Sequence, residues 1–162
     1  MNTGLLILLL AVVAALGFGL HRRRVDGRFA DPAVEEGAGI PVTEETAQRP
    51  SRGPSTWTAV ASALPDAALG ERATLVQFSS AFCAPCRTTR TLLADVADRH
   101  DGVAHVEVDA EQHLDLVRRL DVRRTPTTLV LDADGHEITR AAGAPRREQV
   151  LAVLPASAGG AR

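Results

Sequence analysis

Apolar positions along the chain fall into three regimes. From Gly4 to Leu20 the sequence reads GLLILLLAVVAALGFGL, with no charged position. As a helix this run rises about 25 Å, slightly short of a hydrocarbon core of roughly 30 Å. From His21 to Pro54 the pattern dissolves. Pro, Gly, Glu and Arg dominate, and apolar residues are too sparse to form a face, so residues 21–54 read as a flexible tether. A coil of that length spans roughly 30 Å on average. From Trp57 onward two periods alternate. Trp57, Val60 and Leu64 recur at helical spacing until Pro65, and ATLVQFSS (73–80) is an apolar run suited to a buried strand. From Ala84 to His100 a helix is expected, with Thr89, Leu92, Leu93, Val96 and Ala97 on one face. GVAHVEVD (102–109) sets Val103, His105 and Glu107 against Ala104, Val106 and Val108, as a strand does. EQHLDLVRRL (111–120) predicts a short helix with Leu114, Val117 and Leu120 as its stripe. Residues 127–143 predict a hairpin turning at Asp134-Gly135. A last helix covers 146–154, through Val150, Leu151 and Leu154.

The expected order is helix, strand, helix, strand, helix, strand, strand, helix. Alternating strands and helices imply parallel pairing at the front, and the hairpin adds an antiparallel edge. The fold class is therefore α/β, an open mixed sheet covered by helices. The expected division is an N-terminal transmembrane anchor (1–20), the tether (21–54), one folded domain (55–155) and a disordered tail (156–162). No internal repeat interrupts it.

Composition refines this picture in three places. A net charge of −2 gives no basic patch for phosphate, which argues against nucleic acid. Two cysteines cannot build a disulfide-rich scaffold. The charges around the first apolar run favour an anchor over a cleaved signal peptide, which expects positive charge before the run and small residues after it. Here His21, Arg22, Arg23 and Arg24 follow it directly. A buried core helix would not need so long an uncharged, leucine-rich run. Positive charge stays on the cytoplasmic side, which places the amino terminus outside and the domain inside. Arg22 to Arg24 are expected to meet anionic lipid headgroups.

Both cysteines lie in SSAFCAPCRTTRTL (79–92), three positions apart. A structural zinc site wants four ligands, usually with a second Cys pair or two closely spaced histidines. The histidines at 21, 100, 105, 113 and 136 are scattered, so no metal is expected. A disulfide staple across so short a loop removes little chain entropy, on the order of 2 kcal/mol. A redox couple fits the local physics better. Cys83 falls at the start of a helix, where unpaired N–H groups and the helix dipole favour a thiolate. Arg87 adds positive charge one turn on, and Pro85 suits the first turn. Cys86, three residues along, can reach bonding distance. In the expected reaction the Cys83 thiolate attacks a substrate disulfide and Cys86 resolves the mixed disulfide. The sulfurs carry the electrons, so no cofactor is expected.

VQFSSAFCAPCR, VEVDAE and DVRRTPTTLVLDADGH occur in the order found in thioredoxins, and residues 57–154 resemble that family. The resemblance implies a thioredoxin fold and thiol–disulfide oxidoreductase activity in cell redox homeostasis. Its implied partners are protein disulfides and a thiol reductant system of unknown identity. It also implies that Pro126 is a cis-proline facing the Cys pair, that Thr125 offers backbone groups to a substrate strand, and that Gly143 borders the groove. Phe82 and Ala84 stand where the family usually has tryptophan and glycine. Gln77 stands where thioredoxins commonly carry a buried aspartate beneath the second cysteine, and His105 where a lysine often neighbours it. Glutamine cannot take a proton, so Cys86 is expected to lose its proton through water or His105, with slower turnover. Two other readings remain open: an extracytoplasmic exchange protein of the cytochrome-maturation type, and a non-catalytic binding module.

Overall fold

The computed structural model describes residues 3–25, 27–29 and 55–156. At its centre lies β1 (Ala73–Ser79), buried at every position. It pairs in parallel with β2 (Val103–Asp109) and antiparallel with β3 (Thr127–Asp132). A strand paired on both sides and covered on both faces reads as a largely apolar run, here broken by Thr74 and Gln77. β4 (Glu137–Ala142) lies antiparallel beyond β3, giving the order β2-β1-β3-β4.

Four helices cover the sheet. Val60 of α2 (Thr56–Ala63) and Leu116 of α4 (Leu114–Arg119) pack on Val76, Phe78, Val106, Val108, Leu129 and Leu131. On the other face, Leu93 and Val96 of α3 (Ala84–Arg99) and Val150 of α5 (Arg147–Val153) pack on Leu75 and Val130. This division follows from side chains alternating between the faces of a strand. The Ser55 Oγ caps α2 by accepting the Thr58 N–H, and the Trp57 N–H donates to the Gly135 carbonyl at 3.0 Å. Gly135 is required in that turn: its φ is +79°, and a Cβ there would strike the Trp57 side chain.

The structure departs from the pattern at three places. The helix expected over 111–120 spans only Leu114–Arg119, because the Asp109 carboxylate accepts the N–H groups of Glu111 and Gln112 and holds them in a turn. Its buried residue is Leu116, while Leu114 is 52% exposed.

The tether also begins differently. The N-terminal helix α1 (Thr3–Val25) runs past Leu20 into the arginines, which are good helix formers. Two residues further on the chain meets the sheet. The Gly27 N–H donates to the Ala142 carbonyl at 3.0 Å, and Phe29 forms an antiparallel bridge with Ala141. Phe29 also packs on the α3/α5 side of the core. Gly27 is buried with φ +76°, and a Cβ there would run into the Ala144 carbonyl. The rest of the expected tether, and the tail from 157, lie outside the described residues.

Third, the large hydrophobic side chains described between Leu6 and Leu20 are all exposed. Among the described residues, no helix is long and apolar enough to cross a membrane.

Candidate functional site

Cys83 and Cys86 form a disulfide, with an S–S distance of 2.01 Å and Cα atoms 5.2 Å apart. Cys83 is the N-cap of α3, and its Sγ accepts the Cys86 N–H at 3.2 Å. The sulfur thus occupies the place of a capping oxygen, where a helix start stabilises negative charge. Pro85 lies in the first helical turn, where an N–H would have no partner. The two cysteines differ in access: Cys83 is half-buried, Cys86 is 1% exposed. Phe82, immediately before them, is 97% exposed, and Ala84 is exposed as well.

The Thr125–Pro126 peptide bond is cis. The Thr125 and Ser80 hydroxyls are 3.1 Å apart, joining that loop to the one that leads into Cys83. The Pro126 carbonyl accepts the Gly143 N–H at 2.7 Å. Phe82, the cysteines, Thr125, Pro126 and Gly143 are thereby drawn to one end of the sheet.

Gln77 is fully buried beneath the start of α3. Its amide nitrogen donates to the Cys86 carbonyl at 2.9 Å and to the Ser79 Oγ at 2.8 Å. Its amide oxygen lies 3.2 Å from the His105 Nε2. A carbonyl can only accept, so the amide nitrogen must face Cys86 and the oxygen must face His105. It follows that the His105 Nε2 carries hydrogen and donates. Burial pushes His105 below the usual histidine range, with Arg90 adding to the shift and the Glu107 carboxylate opposing it. The imidazole is therefore neutral at pH 7.

Beside this pair opens a cavity of about 350 Å³, lined by Ser79, Ser80, Cys86, Arg87, Arg90 and Glu107. Arg90 donates to Glu107 at 2.6 Å. Burial would raise the Glu107 carboxyl, but its hydrogen bonds from Arg90 and Ser79, with the Arg90 charge, hold it below the ordinary range.

Sequence reasoning missed Ser79, Ser80 and Glu107. The serines read as the boundary of a strand, although Ser79 continues the face of Gln77 at period two. Glu107 bears the same relation to His105. Among the described residues, no group of three or more His, Cys, Asp or Glu could hold a metal ion.

Residues 60–158 match the family model of the thioredoxin-like domain. Over 69 residues the chain is 32% identical to Thioredoxin H5 of Oryza sativa subsp. japonica, covering 43% of this chain and 50% of that one. Thioredoxin-2 of Pyricularia oryzae is 31% identical over 87 residues, covering 53% and 50%. Thioredoxin domain-containing protein 2 of Homo sapiens is 38% identical over 58 residues, covering 36% and 10%. The chain thus spans half the length of the first two relatives and a tenth of the third. Among solved structures, a mutant thioredoxin from Halobacterium salinarum NRC-1 aligns at a TM-score of 0.49 and 19% identity, over 52% of this chain and 73% of that one.

Proposed function

The chain belongs to the thioredoxin-like domain family, and from that premise we propose that it exchanges thiols for disulfides, using Cys83 and Cys86 to reduce protein disulfides. One observation carries this reading: a disulfide whose accessible sulfur caps a helix while its partner sulfur is buried one turn on. Cys83, as a thiolate stabilised by the helix start and Arg87, attacks the substrate disulfide. Cys86 then attacks the Cys83 sulfur, and the substrate leaves as a thiol. A thiol reductant returns the pair to the dithiol. Phe82 offers an apolar contact beside the nucleophile, and the backbone of Thr125, with Pro126 and Gly143, forms the shelf for an extended substrate segment. His105 directs its Nε2–H to Gln77 and not to Cys86, and the Cys86 proton leaves through water in the adjoining cavity, which Cys86 itself lines. The test is reduction of insulin disulfides by a dithiol reductant with catalytic protein. The wild type should accelerate it and Cys83→Ser should not. Equal activity in both would leave a binding module in its place.

We further propose that α1 attaches the domain to a membrane. Its described hydrophobic side chains are exposed all round, and a helix apolar on every side without protein neighbours is suited to lipid. Among the described residues no helix is long and apolar enough to cross a membrane, so attachment and spanning are separate questions. Alkaline carbonate extraction distinguishes them: a spanning helix stays in the membrane pellet. The arginines after α1 favour a cytoplasmic domain. Labelling of Cys83 in intact cells by an impermeant thiol reagent would place it outside instead, on the cytochrome-maturation side.

A further inference from the structure

In the layer between the start of α3 and the sheet, two buried hydroxyls have no partner. Thr89 lies one turn along α3 from Cys86, on the buried face, at 1% exposure. Thr128 lies on β3 directly across from Gln77, at 0% exposure. Residues opposite one another in a sheet project from the same face, and Gln77 reaches up to the Cys86 carbonyl. Thr89, Thr128 and Gln77 therefore share the layer between the start of α3 and the sheet. Among the described residues, neither threonine hydroxyl has a hydrogen-bond partner. A buried hydroxyl without one is costly and asks for an explanation. The other polar groups of this layer are committed. Gln77 spends its amide on Cys86 and Ser79 and takes a bond from His105.

A disulfide sulfur has no proton to give. On reduction, Cys86 gains an S–H, a weak donor that needs an acceptor once buried. A hydroxyl can accept from the thiol and, after the proton leaves, can turn and donate to the thiolate. Gln77 cannot follow that change with its hydrogens committed.

We propose that Thr89 and Thr128 are positioning residues for the resolving step, receiving the Cys86 thiol in the reduced state and donating to its thiolate as it attacks. The inference rests on the oxidoreductase reading above. In the step itself, Cys86 gives its proton to water in the adjoining cavity, and its sulfur attacks the Cys83 sulfur of the mixed disulfide. The Cys83–Cys86 bond forms as the bond to the substrate sulfur breaks. The substrate thiolate leaves with that electron pair and takes a proton from water. The cysteine pair is oxidised by two electrons and the substrate disulfide is reduced by two.

The experiment uses the reduced full-length chain and an aromatic disulfide reagent that releases a coloured thiol. The first release reports attack by Cys83, the second reports resolution by Cys86. In the double variant Thr89→Val and Thr128→Val, the first phase should keep its rate. The second should slow about tenfold at neutral pH, with its pH midpoint about one unit higher. The equilibrium with glutathione should shift about tenfold toward the disulfide, near 30 mV. Serine at both positions should restore all three readouts. The oxidised valine variant should unfold no more easily than wild type. If the double variant does not fold, each single valine variant should show part of the shift. An unchanged second phase and glutathione equilibrium would overturn the inference. A wild type with no first phase would instead overturn the oxidoreductase reading.

Discussion

The sheet's two faces solve different problems with the same strands. Under α2 and α4 the core is apolar from Val60 and Phe78 to Leu129 and Leu131, and its buried Thr74 and Thr127 hydroxyls are bonded to the Gly70 N–H and the Arg124 carbonyl. Under α3 and α5 the apolar part stops at Leu75 and Val130. One step nearer Cys86 the same strands present Gln77 and Thr128, with His105 of β2 hydrogen-bonded to Gln77. Polar groups in a core are tolerated only when their bonding is accounted for. The first face therefore contributes burial without chemistry. The second gives up some burial to set polar groups beneath the start of α3, next to a cysteine that changes its protonation in the proposed reaction.

The comparison is most sharply broken by Phe78→Ala. Phe78 is fully buried on the apolar face, and its loss should cost about 3–5 kcal/mol in urea denaturation. Insulin reduction by the molecules still folded should persist. A comparable loss of specific activity would mean that the faces are not separable.

On the opposite face, Gln77→Asp should cost less, about 1–3 kcal/mol, by removing the donors to Cys86 and Ser79. It should also add a titration to the pH profile of the reductase rate, because a carboxylate beneath Cys86 can take its proton. An unchanged rate and profile would remove Gln77 from the catalytic account.

The smallest effect concerns acid. His105 has a lowered pKa when folded, so below about pH 6.5 the unfolded chain binds more protons than the folded one. Stability should fall as pH drops through 6.5 and level off below the folded value. Urea midpoints from pH 8 to 5 would record this slope, and His105→Asn should reduce it. A slope that survives the substitution belongs to other groups.

Much of this contrast was legible in the sequence. The largely apolar run from Ala73 to Phe78 marked a buried strand, and the spacing of Cys83, Pro85 and Cys86 marked a helix start. What was not legible depends on register. Gln77 and Thr128 are 51 positions apart in the chain and meet only because β1 and β3 pair antiparallel as they do. Thr89 read as part of an apolar stripe, and its unpartnered hydroxyl emerges only once the opposite strand is in place. Leu116 displaced Leu114 because an aspartate turn delayed α4. The docking of Phe29 escaped notice because one aromatic among prolines and charges carries no period.

That docking alters how the domain can swing. Only Asp26 separates the end of α1 from Gly27, which is already bonded beside Gly143. The pivot between helix and catalytic face is therefore very short. Phe29 and Ser55 both belong to the folded body, so chain inserted between them would leave the reach of the cysteine pair from α1 unaltered.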